Sequence, residues 1–129
     1  MTVGSTIIES QVASTVIAMT QSFPSGGAAL AVQAITASAT DVYAVVIDNS
    51  LNTSASYLKC YDTTGSITIG TNHPQMILKA DAGGKVQYSF DKGAPFATGI
   101  KAAVLTSKGT AGTTAPSSEI TITFLATPS

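Results

Sequence analysis

Arginine is absent from this chain of 129 residues, and charge of either sign is scarce. Charged residues make up 10% of the sequence, against about 25% in an ordinary soluble domain. The formal net charge of -1 provides no basic surface for nucleic acid or for an anionic membrane. Without arginine, the usual bidentate reader of phosphate and guanine is also missing. We therefore expect neither nucleic acid nor a membrane as a partner.

Residues suited to catalysis or to metal binding are equally few. Cys60 is the only cysteine, so no intramolecular disulfide can form, and its place in the alternating stretch "SYLKCYD" predicts a buried apolar side chain. His73 is the only histidine and lies in the turn-like "TNHPQ", away from any cluster of carboxylates or thiolates. No nucleophile elbow, P-loop or dinucleotide fingerprint occurs. The sequence predicts a protein that is not an enzyme and needs no metal or cofactor.

Long apolar runs are also lacking. No stretch approaches the ~18 apolar residues needed to span a bilayer, and the first ten residues contain no basic residue. We expect synthesis in the cytoplasm without Sec-type export. The tripeptide Asn52 to Ser54 formally matches a glycosylation acceptor, but such matches arise by chance in a chain with 19 Thr and 15 Ser.

Short alternating segments separated by turn residues dominate what is present. Gly, Pro, Asn and Asp interrupt the chain at close intervals, which is typical of an all-β sandwich or jelly roll. The pattern predicts a single antiparallel β-sandwich of about eight strands, either jelly-roll or immunoglobulin-like, over residues 12–129, preceded by an N-terminal arm over residues 1–11. The predicted strands are 12–19, 29–36, 41–48, 56–61, 75–80, 85–90, 99–106 and 118–125; the first could also form one short helical stretch.

Two kinds of strand can be distinguished. Alternation predicts one buried and one wet face for two of them, with core side chains Val86, Tyr88, Phe90, Ile120, Ile122 and Phe124. In contrast, Val42 to Ile47 ("VYAVVI") is apolar on both faces, which indicates a central strand or, alternatively, a contact between subunits. Phe23 and Phe96 each adjoin a proline and could be exposed, or could cover the ends of the sandwich.

Four motifs stand out within residues 41 to 125: "YLKCYD", "GTNHP", "PFATGI" and "GTAGTTAPSSEITITF". Through them this part of the chain resembles a group of small all-β proteins encoded in tailed-phage genomes, cyanophages among them. The resemblance implies a virion structural role, that of a decoration or cement protein that binds the major capsid protein on the capsid surface. It also implies a homo-oligomer, with a trimer as the expected state. A tail, neck or fibre protein and a carbohydrate-binding or adhesive module remain the alternatives.

Two segments are candidates for partner binding. Val3, Ile7 and Ile8 of the arm have no obvious place in an eight-stranded core, and an extended segment can add a strand to a sheet edge. The loop from Gly109 to Ser117 exceeds the usual two to five residues of a hairpin. Its small side chains allow a partner's backbone to approach closely, although a solvated loop is an equal alternative. Its candidate contact residues are Thr110, Thr113 and Thr114.

Overall fold

The computed structural model describes residues 16–23 and 32–129 as a two-layered β structure. The part of the chain so described contains eight strands and no helix. The strands are β1 (Ile17–Phe23), β2 (Gln33–Thr36), β3 (Thr40–Asp48), β4 (Ser56–Asp62), β5 (Met76–Ala80), β6 (Lys85–Phe96), β7 (Ile100–Leu105) and β8 (Ile120–Pro128).

The strands form two antiparallel four-stranded sheets. The first sheet has the order β1-β8-β3-β6 and the second the order β2-β7-β4-β5. Within these sheets β1 pairs with β8, β2 with β7, β3 with β6 and β4 with β5, as if one long hairpin had been rolled up. This is the strand order of an eight-stranded jelly roll, so the jelly-roll alternative is correct and the immunoglobulin-like alternative is not.

The largest departure from the predicted strands is in β6, which continues beyond Phe90 to Phe96. Ala44 pairs with Ser89 but Val42 pairs with Ala94, so four residues of β6 stand opposite Tyr43 alone. Gly93 turns this bulge with φ of 78°, a left-handed conformation that glycine adopts without strain. β1 begins later than predicted, at Ile17, and residues 12–15 lie outside the described residues.

The core between the sheets contains most of the side chains expected there. Ile120, Ile122 and Phe124 are fully buried, as alternation predicts. In contrast Val86, Tyr88 and Phe90 are only partly buried, because β6 is an edge strand and has a neighbour on one side only. Phe23 and Phe96, which the adjoining prolines left ambiguous, are buried and cover the core.

The apolar segment Val42 to Ile47 is a central strand, because β3 lies between β8 and β6. Val42, Val45 and Ile47 point into the core, where none is more than 1% exposed. Tyr43 and Val46 lie on the outer face and are half-buried.

Side chains from each sheet close the gap along one side of the sandwich. The Tyr88 hydroxyl on β6 donates to the Lys79 carbonyl on β5, and the Gln75 amide donates to the Pro95 carbonyl. On the opposite side the Gln21 amide donates to the Gln33 side-chain carbonyl at 3.1 Å. The bonds to Lys79 and Pro95 occupy backbone carbonyl groups of edge strands that would otherwise be open to pairing.

Candidate protein-interaction site

Three of the six candidate contact residues lie within the described part of the chain. Thr110, Thr113 and Thr114 belong to the connection between β7 and β8, residues 106–119, which we call the 106–119 loop. Val3, Ile7 and Ile8 lie outside the described residues.

The 106–119 loop folds back over the outer face of the second sheet. The ammonium of Lys59, on β4, donates to the Gly109 carbonyl at 2.5 Å, and His73 shares a hydrogen bond of 3.2 Å with the Thr110 hydroxyl. A Cβ placed on Gly70 would come within 2.9 Å of the Thr113 methyl group. The loop and the 63–75 connection therefore meet above β4 and β7.

This cover buries residues that alternation places on the outside of the sheet. Leu58 and Cys60 belong to the core, so Lys59 and Tyr61 must point outward, yet they are 0% and 3% exposed. Ala103 and Leu105 of β7 are buried in the same way. Burial lowers the pKa of Lys59, because desolvation penalises its charged form.

Two hydrogen bonds between Thr106 and Thr114 close the base of the loop. The backbone N–H and the hydroxyl of Thr106 both donate to the Thr114 carbonyl, at 2.9 and 3.2 Å. Within the loop the Gly112 N–H donates to the Gly109 carbonyl at 3.2 Å. Thr113 and Thr114 present exposed side chains, whereas Thr110 is half-buried against His73.

A network of buried amides holds the end of the sandwich from which the loop returns to β8. The Asn49 amide donates to the carbonyls of Ser54 and Asp81, both at 3.0 Å, while its side-chain oxygen accepts from Asn52 and Ser56. Asn52 in turn donates to the Ser118 carbonyl and accepts from its N–H. Asn52 is only 3% exposed and its amide nitrogen is fully engaged, so the sequon cannot be glycosylated in the folded chain.

The carboxylate of Asp62 anchors the turn between β6 and β7. It accepts hydrogen bonds from the backbone N–H groups of Ala97, Thr98 and Gly99 and from the Thr98 hydroxyl. The bonds from Thr98 and its neighbours lower the pKa of Asp62 below its usual value. The sequence contains this residue in the "YLKCYD" motif but shows nothing of the turn that it holds.

An open groove of about 450 Å³ runs beside the loop on the second sheet. Its lining consists of Tyr57 from β4, Ile77 and Lys79 from β5, and Lys108 from the loop. Sequence reasoning missed this groove, because it joins residues up to 51 positions apart. A smaller cavity of about 220 Å³ lies at the amide-rich end and includes Asn52, Ser56 and Thr114 in its lining.

The outer face of the first sheet is uncharged along two of its strands. β1 and β8 contain no charged residue, and the side chains they present outward are Ala18, Thr20, Ser22, Thr121, Thr123, Leu125 and Thr127. The hydroxyls of Thr20 and Thr123 are hydrogen-bonded across the two strands at 3.0 Å. This face offers small hydroxyl and methyl groups to a partner.

The described residues contain no cluster of three or more side chains suited to hold a metal ion. Cys60 is fully buried, and desolvation raises the pKa of its thiol to about 12. No helix among residues 16–23 and 32–129 is long and apolar enough to cross a membrane. Compared with known proteins, the chain matches no family model and no curated protein.

Proposed function

We propose that this chain is a non-enzymatic virion protein of a tailed phage that decorates the outer surface of the head and stabilises it. Its partner is the major capsid protein, and its functional state is a homotrimer. The observation that carries the proposal is that the motif-bearing residues 41–125 supply almost all of β3 to β8, together with the 63–75 connection and the 106–119 loop of the jelly roll. In this proposal the motifs specify a scaffold and its surface, with no catalytic residue among them.

The uncharged outer face of the first sheet supports this role. Stable protein interfaces bury about 800 Å² on each partner, and their centres are depleted of charged residues. β1 and β8 provide a face of this kind, built of Ala, Ser, Thr and Leu side chains. Jelly rolls also recur in viral capsid proteins, although fold alone does not determine function.

The test is to mix the purified protein with undecorated capsids of the phage that encodes it. We expect binding at a copy number comparable to that of the major capsid protein, with density on the outer shell in electron micrographs. A few copies per particle, located at the neck or tail, would support the tail-associated alternative instead. Failure to bind any part of the particle would contradict the proposal.

The N-terminal arm is proposed as one anchor of this attachment. A variant that lacks residues 2 to 11 is expected to bind capsids with lower occupancy at the same protein concentration. The corresponding test of the 106–119 loop is the double variant Thr113→Ala, Thr114→Ala, because both side chains are exposed and available for contact with a capsid. If the truncated protein binds with full occupancy, the arm is not the anchor.

Carbohydrate binding is the second candidate, because jelly rolls are also the fold of many lectin domains. Tyr57 lines the open groove of the second sheet and offers an aromatic ring to a ligand. Binding of the isolated protein to a glycan array, together with no affinity for capsids, would favour this candidate.

A further inference from the structure

The few charges of the chain are divided unequally between the two sides of the sandwich. Four of the six lysines belong to the outer side of the second sheet, together with one acidic residue: Lys59, Lys79, Lys101 and Lys108, with Asp81. That side therefore carries 4 − 1 = +3. The remaining described residues carry two lysines and five acids, 2 − 5 = −3: Lys85 and Lys92, with Asp41, Asp48, Asp62, Asp91 and Glu119.

Three of these lysines gather around one exposed apolar residue. Ile77 is 40% exposed and stands directly opposite Lys59 in the β4–β5 ladder. Lys79 lies two residues after Ile77 on the same face of β5. Lys108 is next to Gly109, whose carbonyl accepts a hydrogen bond from the Lys59 ammonium. Like charges placed together repel one another, so this grouping has a cost that an anionic ligand would offset.

Among the residues that the structure describes, one carboxylate forms an ion pair with any of these three amines. Asp81 lies 3.3 Å from the Lys79 ammonium, but the two side chains are 84% and 52% exposed. An exposed pair of this kind is screened by solvent and contributes little. The groove therefore keeps its positive character, and Tyr57 and Ile77 supply the rest of its lining as an apolar floor.

We propose that this groove binds an extended acidic peptide segment of a protein partner. The carboxylates of the segment lie against Lys79 and Lys108, and an apolar side chain between them packs on Ile77 and the ring of Tyr57. A carbohydrate fits the lining less well, because sugar hydroxyls are held by amide and carboxylate groups, whereas this lining provides two ammonium groups and one phenol. Charge-assisted bonds from lysine suit a carboxylate.

The inference rests on the proposed function in one respect only: if the chain decorates capsids, the acidic segment belongs to the major capsid protein. Peptide binding is measured on the isolated protein without capsids. The two ideas can therefore fail separately: a protein that binds the peptide but no capsid retains the groove and loses the decoration role.

The experiment uses the full chain and a short fluorescein-labelled peptide in which Glu alternates with Val, titrated by fluorescence polarisation. A matched peptide with Gln in place of Glu is the first control. We expect the acidic peptide to bind about tenfold more tightly than the neutral one, and the double variant Lys79→Gln, Lys108→Gln to lose about tenfold in affinity.

The control variant is Lys85→Gln with Lys92→Gln, which removes the same charge from edge strand β6 of the first sheet. We expect this variant to bind the acidic peptide as the unaltered protein does. Equal losses in both double variants would assign binding to overall charge and overturn the proposal. Absence of peptide binding by the unaltered protein, or binding of polygalacturonate in its place, would overturn it as well.

A third variant, Ile77→Ser, tests the apolar floor without changing charge. It should weaken binding of the acidic peptide while the melting temperature stays near that of the unaltered protein, because Ile77 is already 40% exposed. Unchanged affinity in this variant would show that the floor takes no part, and would reduce the site to its two lysines.

Discussion

Lys59 and Cys60 are neighbours on β4, point to opposite faces of the second sheet, and are both fully buried. Cys60 enters the core between the sheets, where an apolar thiol needs no partner. Lys59 lies beneath the 106–119 loop, where its ammonium requires one and finds the Gly109 carbonyl. Two consecutive residues of one strand thus show that this sheet is covered on both faces.

Cys60 is expected to be unreactive in the folded protein. With a pKa of about 12, only about one thiol in ten thousand is ionised at pH 8, and the thiolate is the reactive species. Ellman's reagent should therefore release no colour from the native protein and one equivalent from the denatured protein. Thr53→Cys, at an exposed position, is the positive control. Rapid labelling of native Cys60 would contradict the described packing.

Asp62 is expected to make stability depend on pH in acid. Its pKa is lower in the folded than in the unfolded chain, where it is near 3.8, so its contribution is full above that value and is lost as the pH falls through the folded pKa. Asp62→Asn should cost about 1 kcal/mol near neutral pH, with screening of this half-buried carboxylate by solvent taken into account.

Urea denaturation between about pH 3 and pH 6 tests this dependence. The difference between the unaltered protein and Asp62→Asn should shrink as the pH decreases, because protonation removes the same charge as the substitution. Asp91→Asn, in the exposed bulge of β6, is the matched change of charge. A difference that stays constant with pH would show that the carboxylate charge does not matter.

At the scale of single strands and loops, the sequence predicts which face of a strand is buried but not the order of the strands or the path of the long loop. A period of two identified Ile120, Ile122 and Phe124 as core residues, because the face of a strand follows from its own side chains. The same reasoning placed Val86 and Tyr88 too deep, because only the strand order reveals that β6 is an edge. The path of the 106–119 loop was not predictable either, since its Gly, Thr and Ala residues carry no periodicity and its partners, Lys59 and Gly70, are distant in sequence.

Asn49 is expected to be the most important polar residue for the loops at its end of the sandwich. Asn49→Ala would leave the hydroxyl of Ser56 and the carbonyl of Ser54 without a partner. It would also remove one of the two bonds made by the Asn52 amide and one of those accepted by the Asp81 carbonyl. Because unsatisfied buried polar groups are costly, we expect a loss of about 2–4 kcal/mol in the free energy of unfolding. Chemical denaturation measures it, with Leu51→Ala, 66% exposed, expected to change stability by about 0.5 kcal/mol or less. Equal effects in the two variants would contradict the role of the network.

At the scale of the whole molecule, we expect association into a trimer. A neutral surface offers little electrostatic protection against self-contact, and the outer side chains of β1 and β8 are uncharged. Light scattering over a range of concentrations should give a mass three times that of the 13.0 kDa chain. A species that stays monomeric at high concentration would rule out a preformed trimer and leave only trimerisation on the particle.

The jelly-roll strand order affects how the protein folds while it is synthesised on the ribosome. β8 inserts between β1 and β3, so the strand of the sandwich that is synthesised last completes the middle of the first sheet. Until it emerges from the ribosome, β1 lacks its ladder partner and β3 has one free edge. Such distant pairings close slowly, on a scale of about milliseconds to seconds. A nascent chain therefore cannot finish the uncharged face early, and that face becomes available to a partner only after synthesis has passed Pro128.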